Sequence, residues 1–193
     1  TLFPYTTLFR SEVLALWAGL GYYSRARNLH RCAQQVCEQY GGLFPSDVQT
    51  LQTLPGIGPS TAAAVVSLAF NQRAAILDGN VKRVLARHGG LHGWAGTPSV
   101  SKALWALAEA RLIAHSEACA VSPDHHRRYT QGMMDLGAMV CTAKSPACGQ
   151  CPVSADCAAL TEHQVGNIPT PRPKKLTPTQ HRCALVLHTD AGV

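Results

Sequence analysis

The sequence predicts a mainly α-helical fold whose last helix runs into a cysteine-rich loop, and three observations carry that prediction. Apolar residues recur at helical rather than strand spacing through most of the 193 residues. A glycine–proline hairpin, Leu54 to Thr61, separates two of the helical segments. Four of the eight cysteines (Cys141, Cys148, Cys151 and Cys157) fall within 17 residues directly after the last helical segment. No internal repeat is visible, and no convincing strand precedes residue 180.

Taken in order, Val13, Leu16, Trp17 and Leu20 follow i, i+3, i+4, i+7 spacing and predict an amphipathic helix over 12–20. A second helix is expected from about Arg25 to Tyr40, with Ala26, Leu29, Ala33 and Val36 inward and Gly41-Gly42 as its stop. Ser46 and Asp47 offer N-caps for a short helix ending near Leu54. Ser60 to Phe70 is almost wholly apolar and reads as a helix buried all round. Leu77-Asp78-Gly79-Asn80 opens the next helix, with Val81, Val84 and Leu85 on one face and Lys82, Arg83 and Arg87 largely on others. A Gly-rich loop at 89–96 precedes a helix around Leu104, Trp105 and Leu107. The stretch from Ile113 to Arg128 has no clear period and reads as a loop or insertion, and a last helix is expected from Tyr129 to Val140. From Gly166 on, Pro169, Pro171, Pro173 and Pro178 with Lys174 and Lys175 predict an extended linker. Arg182 to His188 then reads as a strand without a partner, the severed start of a further domain.

Composition narrows the classes. With 46% hydrophobic and 15% charged residues the chain is globular rather than disordered. The longest apolar run, Thr61 to Phe70, is about half of what a membrane-spanning helix needs. No basic region followed by an apolar stretch marks a signal peptide. A net charge of +6 favours polyanionic partners. Cys32, Cys37, Cys119 and Cys183 are scattered, and Cys32, near an apolar helical stripe, reads as packing. The clustered four, without a secretory signal, read as a metal site in a reducing cytoplasm.

Their spacing is Cys141-x6-Cys148-x2-Cys151-x5-Cys157. Four thiolates at short intervals wrap either one tetrahedral zinc or an iron–sulfur cubane, because both need soft, deprotonated sulfur. Zinc ribbons commonly use two CxxC pairs, and only one is present. Four protein ligands leave no open coordination position, so the group staples a loop rather than catalysing. In the hairpin, Gly56 and Gly58 let the backbone turn tightly and approach a phosphate, while the following helix offers free N–H groups and its positive end. Such a contact holds a duplex without reading its sequence. Asp78, about 18 residues beyond, suits a helix N-cap; as a carboxylate near held DNA it also suits stabilising positive charge on a sugar.

These segments resemble the helix-hairpin-helix, iron–sulfur base-excision glycosylases, and among them the adenine glycosylase (MutY) family. Leu54-Pro55-Gly56-Ile57-Gly58-Pro59-Ser60-Thr61 is similar to the family's LPGxGxxTA hairpin, and the 6-2-5 cysteine spacing to its [4Fe–4S] loop. Gly19 to Asn28 matches GLGYYxRARN, and Gln131 to Ala138 resembles the helix before the cluster. The resemblance covers about residues 12–163. It implies a helix-hairpin-helix glycosylase fold over 12–140, a cluster loop over 141–163, a linker over 164–180 and, over 181–193, the start of an 8-oxoguanine-reading domain. It makes Asp78 the catalytic aspartate and Cys141, Cys148, Cys151 and Cys157 the cluster ligands. It assigns DNA contacts to Tyr22, Arg25, Leu54, Gly56, Gly58, Ser60, Thr61, Asn80 and Lys82. Tyr22 would wedge into the duplex beside the lesion, as suits an enzyme that flips a base. At Ser60 the bifunctional endonuclease III branch carries the lysine that forms a Schiff base; a hydroxyl there implies the monofunctional branch. The implied substrate is double-stranded DNA with adenine opposite 8-oxoguanine or guanine, acted on by a monomeric, cytoplasmic, nucleoid-associated bacterial enzyme. Met133 and Met134 are expected to be packing.

The chain departs from the family at its beginning. The resemblance calls for a glutamate general acid in a helix reading like SEVMLQQTQV, well upstream of the GLGYY segment. Only 18 residues precede Gly19, and that motif is absent. Residues 1–11 match nothing in the family at that place, and Glu12 is expected on the surface. The expectation is a chain truncated at both ends, with a foreign N-terminal segment.

Overall fold

The computed structural model describes residues 10–118 and 123–174. The expected strand at Arg182 to His188, nearly all of the segment 1–11 that was expected not to match, and Cys119 and Cys183 lie outside them. Among the described residues the chain is helical with no strand: α1 Arg10–Leu16, α2 Tyr23–Tyr40, α3 Val48–Gln52, α4 Pro59–Phe70, α5 Gly79–His88, α6 Pro98–Ala118, α7 His125–Asp135 and α8 Ala158–Thr161. A π-helical turn, Leu136–Val140, extends α7, and a 3₁₀ turn, Cys148–Gln150, lies within the cysteine loop.

Local chemistry sets most boundaries. Gly41 ends α2 in the left-handed region, its N–H returning to the Val36 carbonyl. The Asp47 carboxylate caps α3 by accepting the Thr50 N–H at 2.7 Å, and that hydrogen bond holds its carboxyl below the usual range. Asp78 caps α5 in the same way, accepting from the Val81 N–H at 2.7 Å. Pro59 occupies the first turn of α4, where no intrahelical donor is lost.

One core runs through the middle of the chain: Val36 of α2, Leu51 of α3, Val66 of α4, Val81 and Leu85 of α5, Leu104 and Leu112 of α6, Ala159 of α8 and Ile168. Burying each such leucine or isoleucine contributes about 1.5–3 kcal/mol. Met133 and Met134 pack against it as expected. Cys32 is buried too, and burial pushes its thiol above the ordinary range, which suits an inert packing residue.

Several expectations fail, each for a tertiary reason. The first helix ends at Leu16, and of its stripe Val13 is buried while Leu16 and Leu20 are exposed. Backbone glycines at positive φ follow (Gly19 at 84°, Gly21 at 66°), and the Trp17 indole N–H closes the turn on the Gly21 carbonyl at 2.9 Å. Leu29 is exposed as well; Ala26, His30, Cys32 and Val36 form the buried face of α2. The apolar α4 is not buried all round: Ala62, Ala63, Val66 and Ser67 face the core, and Phe70 is exposed. Much of 113–128 is helix rather than loop, because α6 runs on to Ala118 and α7 starts at His125. Histidine contacts rather than an apolar stripe join these helices: the His115 ring lies 4.7 Å from that of Tyr129, and the Asn71 carboxamide and Arg127 tie the start of α7 to the end of α4. The linker is not wholly free, since Ile168 is fully buried.

Candidate functional site

The hairpin joins α3 to α4, and its two glycines do different work. Gly56 sits at φ +83°, and a Cβ there would come within 2.8 Å of the Asn28 Cβ, so the fold itself requires glycine. Gly58 has an ordinary extended backbone, and a Cβ on it would meet nothing within 4 Å. Open space outside that backbone is what close approach by a ligand needs. The first turn of α4 beyond it has no side-chain cap, leaving N–H groups directed outward. Leu54 is a correction: at 2% exposure its side chain anchors the hairpin in the core and is not available to a ligand. Thr61 is exposed.

A single hydrogen bond ties the hairpin to the aspartate segment. The Leu77 N–H donates to the Ser60 Oγ at 3.0 Å, which sets the first turn of α4 beside the residue preceding Asp78. Asp78 is half-buried, and one carboxylate oxygen is fixed by the Val81 N–H. The cap orients the carboxylate.

The start of α2 meets the same hairpin. Trp17, Arg25, Asn28, Gly56, Ile57 and Thr61 share one cleft. Tyr22 is 81% exposed and adopts a left-handed backbone (φ 46°, ψ 49°) that non-glycine residues seldom occupy. It is no core tyrosine. Its strained backbone costs of order 1 kcal/mol or more and projects an aromatic ring into solvent beside the hairpin. The Arg25 guanidinium lies 5.8 Å from the Trp17 ring centroid, and the Arg25 backbone N–H closes a turn on the Tyr22 carbonyl.

Asn80 and Lys82 separate from this group. Asn80 packs directly on Gly137 of the π-helical turn, and its carboxamide oxygen accepts from Arg83 at 2.9 Å, so its role is to join α5 to the cysteine loop. Lys82 lines a groove running from Gly79 to Arg172.

The four cysteines are unbridged and line one cavity whose other walls are mostly apolar, with Val140, Pro146, Leu160 and Val165. Among the described residues, no three potential ligands converge on a site for a single ion. Four sulfurs around one zinc stand about 3.8 Å apart, given Zn–S bonds of about 2.3 Å. Four soft sulfurs around one mostly apolar cavity fit an iron–sulfur cluster. Cys141, Cys148, Cys151 and Cys157 would hold it, and the bound group would supply cross-linking of the loop.

Two arginines that the helical pattern placed outward hold this loop, and this is the largest correction. Arg87 is 3% exposed. Its guanidinium donates to the carbonyls of Thr142 (2.6 Å), Ala143 (3.2 Å) and Ile168 (2.8 Å) and points an N–H at the Cys141 Sγ at 3.4 Å. Arg83 donates to the carbonyls of Cys141 (2.7 Å) and Gly137 (2.6 Å). Their i, i+4 spacing, which puts both on one side of α5, was the available signal. The π-helical turn delivers Cys141 to them, its N–H returning to Leu136 at 2.7 Å. Lys144 is exposed on the loop.

Comparison with known proteins agrees with this geometry. Residues 5–110 match the family of HhH-GPD superfamily base excision DNA repair proteins, and residues 141–157 match the iron–sulfur binding domain of endonuclease III. The cofactor of the loop is thus an iron–sulfur cluster, of the [4Fe–4S] kind that four cysteines ligate. An adenine DNA glycosylase of Buchnera aphidicola (subsp. Acyrthosiphon pisum) is 40% identical over 86% of this chain and 45% of its own length. The human adenine DNA glycosylase is 44% identical over 77% of this chain and 26% of its own, and that of Mycobacterium tuberculosis 39% over 76% and 45%. The chain therefore spans about half the length of its bacterial relatives. In structure it is similar to a thermostable thymine-DNA glycosylase (TM-score 0.67, 32% identity, 82% of this chain and 69% of that one). It is also similar to endonuclease III in a non-covalent DNA complex (TM-score 0.61, 27% identity, the same coverage). With the hairpin, the capped aspartate and the cysteine loop in one helical body, this chain belongs to the HhH-GPD superfamily of base excision DNA repair proteins.

Proposed function

We propose that the chain is the DNA-holding and aspartate-bearing part of a monofunctional adenine DNA glycosylase, acting on adenine opposite 8-oxoguanine or guanine in duplex DNA. The observation that carries this reading is the Ser60 hydroxyl, bonded to the Leu77 N–H one residue from Asp78. A hydroxyl so engaged forms no Schiff base, so strand cleavage by a lysine at this position is excluded and hydrolysis remains. The full-length relatives that match the chain are named adenine glycosylases, which supports the same choice.

The chemistry follows from the site. Gly58 and the uncapped start of α4 take a backbone phosphate. Tyr22 fills the stack that the flipped base leaves. As the C–N bond to adenine breaks, positive charge develops on the sugar, and the free oxygen of Asp78 stabilises it. Water adds to the sugar and adenine leaves with a proton; strand and redox state are unchanged. The proton donor of the family, a glutamate in an SEVMLQQTQV-like helix, has no counterpart among these 193 residues. The chain as written therefore binds such duplexes weakly, as a monomer, and releases adenine negligibly. We place its action in the cytoplasm, on nucleoid DNA; among the described residues no helix is long and apolar enough to cross a membrane.

A single-turnover assay on an adenine:8-oxoguanine duplex, with borohydride trapping on an abasic duplex beside it, tests the reading. Binding without a trapped adduct is expected. A borohydride-trapped adduct accompanied by cleavage of the strand would overturn the monofunctional assignment, and adenine release at a full enzyme's rate would overturn the inactivity of this chain.

A further inference from the structure

The groove between the start of α5 and the segment Gly166–Arg172 carries charge that the site described above does not use. Lys82, Arg83, Arg87 and Arg172 line it together with Trp94, and no acidic side chain does. Arg83 and Arg87 donate to backbone carbonyls, to the Asn80 carboxamide and to a cysteine sulfur, so no carboxylate neutralises them. Among the described residues neither Lys82 nor Arg172 has a salt-bridge partner; the salt bridge present, Arg128–Asp124, lies elsewhere. The nearest acid along the chain is Asp78, whose carboxylate is turned to the Val81 N–H. Lys82 and Arg172, with no carboxylate in the groove, give it a local positive potential beyond that of scattered surface charge.

The segment bearing Arg172 is held against the body of the protein. Ile168 is buried at 1% exposure, its carbonyl accepts from Arg87 at 2.8 Å, and the Thr170 hydroxyl accepts the Gly93 N–H at 2.9 Å. The Arg172 guanidinium then lies over the Trp94 ring, 5.6 Å from its centroid. The ring contact restrains the guanidinium and leaves its N–H fork for an anion, a group that suits phosphate better than a lysine would.

We propose that this docked start of the linker is part of the DNA interface: Arg172, positioned by Trp94, binds a backbone phosphate of the duplex that Asp78 faces. The proposal rests on the DNA-glycosylase reading and adds to it a second phosphate site, reached through Gly79 and Lys82 rather than through the hairpin.

Affinity of the purified, cluster-loaded chain for a duplex with adenine opposite 8-oxoguanine, measured across salt concentrations, tests it. Arg172→Ala should weaken binding about tenfold at low salt and lower the slope of log affinity against log salt by about 0.9. Trp94→Leu should reproduce much of the affinity loss while keeping the charge, and Arg172→Lys should rescue the slope better than the affinity. Arg111→Ala, on α6 beside the His88 end of α5, should leave both unchanged. An Arg172→Ala slope equal to the parent's, in a variant that keeps its helicity and its visible cluster absorbance, overturns the proposal and leaves the glycosylase reading standing. Failure of the parent chain to bind the duplex at all overturns that reading itself.

Discussion

The two ends of α5 are built on opposite terms. At its start Asp78 is half-buried, one oxygen fixed by a backbone N–H and the other open, beside a hairpin whose Gly58 faces empty space. From its middle onward, Arg83 and Arg87 are inserted into the cysteine loop with nearly every N–H matched to a carbonyl or a sulfur. One end leaves its polar groups unspent for a ligand; the other spends them on the fold. A site that must bind an outside anion keeps donors open, while a loop with little regular structure borrows donors from a neighbouring helix.

If that contrast is correct, substitutions at the loop end should strike stability and those at the hairpin end should strike DNA binding. Arg87→Met should cost the most, about 3 kcal/mol, because the buried Ile168 carbonyl and the carbonyls of Thr142 and Ala143 lose their donor together. Visible absorbance should fall with it, and Arg87→Lys should not rescue, since one ammonium cannot reach all the acceptors. Retention of both the denaturation midpoint and the absorbance would break the contrast. Gly56→Ala comes next, at about 2 kcal/mol, for it combines a positive φ with a collision against Asn28. Gly58→Ala should stay within about 0.5 kcal/mol of the parent, yet bind duplex DNA roughly tenfold more weakly. This pair sharpens the comparison by separating a fold glycine from a proposed interface glycine two residues away in the same hairpin. Asp78→Ala should cost about 1 kcal/mol of capping energy, while Asp78→Asn keeps the cap and stays within about 0.5 kcal/mol. The asparagine form should bind duplex DNA at least as tightly as the parent, since a negative charge facing phosphates is gone. The smallest effect belongs to Tyr22→Gly. Relief of its left-handed backbone should leave stability unchanged or raise it by about 0.5 kcal/mol, while the preference for a mispaired over a matched duplex falls.

Much of the site was legible without coordinates because its parts are short and local. A cysteine spacing, a PGxG turn and a capping aspartate each report their chemistry within a few residues. Helix ends were legible where a cap or a glycine decided them, as at Asp47, Asp78 and Gly41. What failed were statements about which way a side chain faces. Leu54 looked like part of the contact surface and is core; Leu16, Leu20 and Leu29 looked like core and are exposed. The join of α6 to α7 escaped because a ring contact such as His115 on Tyr129 leaves no apolar period to read.

The sequence by itself determined the chemistry available: four soft ligands, one carboxylate at a helix start, a hydroxyl in place of an amine, and a turn that only glycine can make at position 56. Tertiary structure alone decided how these meet. It bonded Ser60 to the Leu77 backbone, buried Arg87 beneath the cysteine loop, and laid the first residues of the linker across Trp94. The reason is range. Capping, turns and ligand spacing act between near neighbours and leave a mark in the order of residues, whereas the partners of Arg87 lie more than 50 positions away, and nothing in the local pattern distinguishes a guanidinium bound for solvent from one bound for the core.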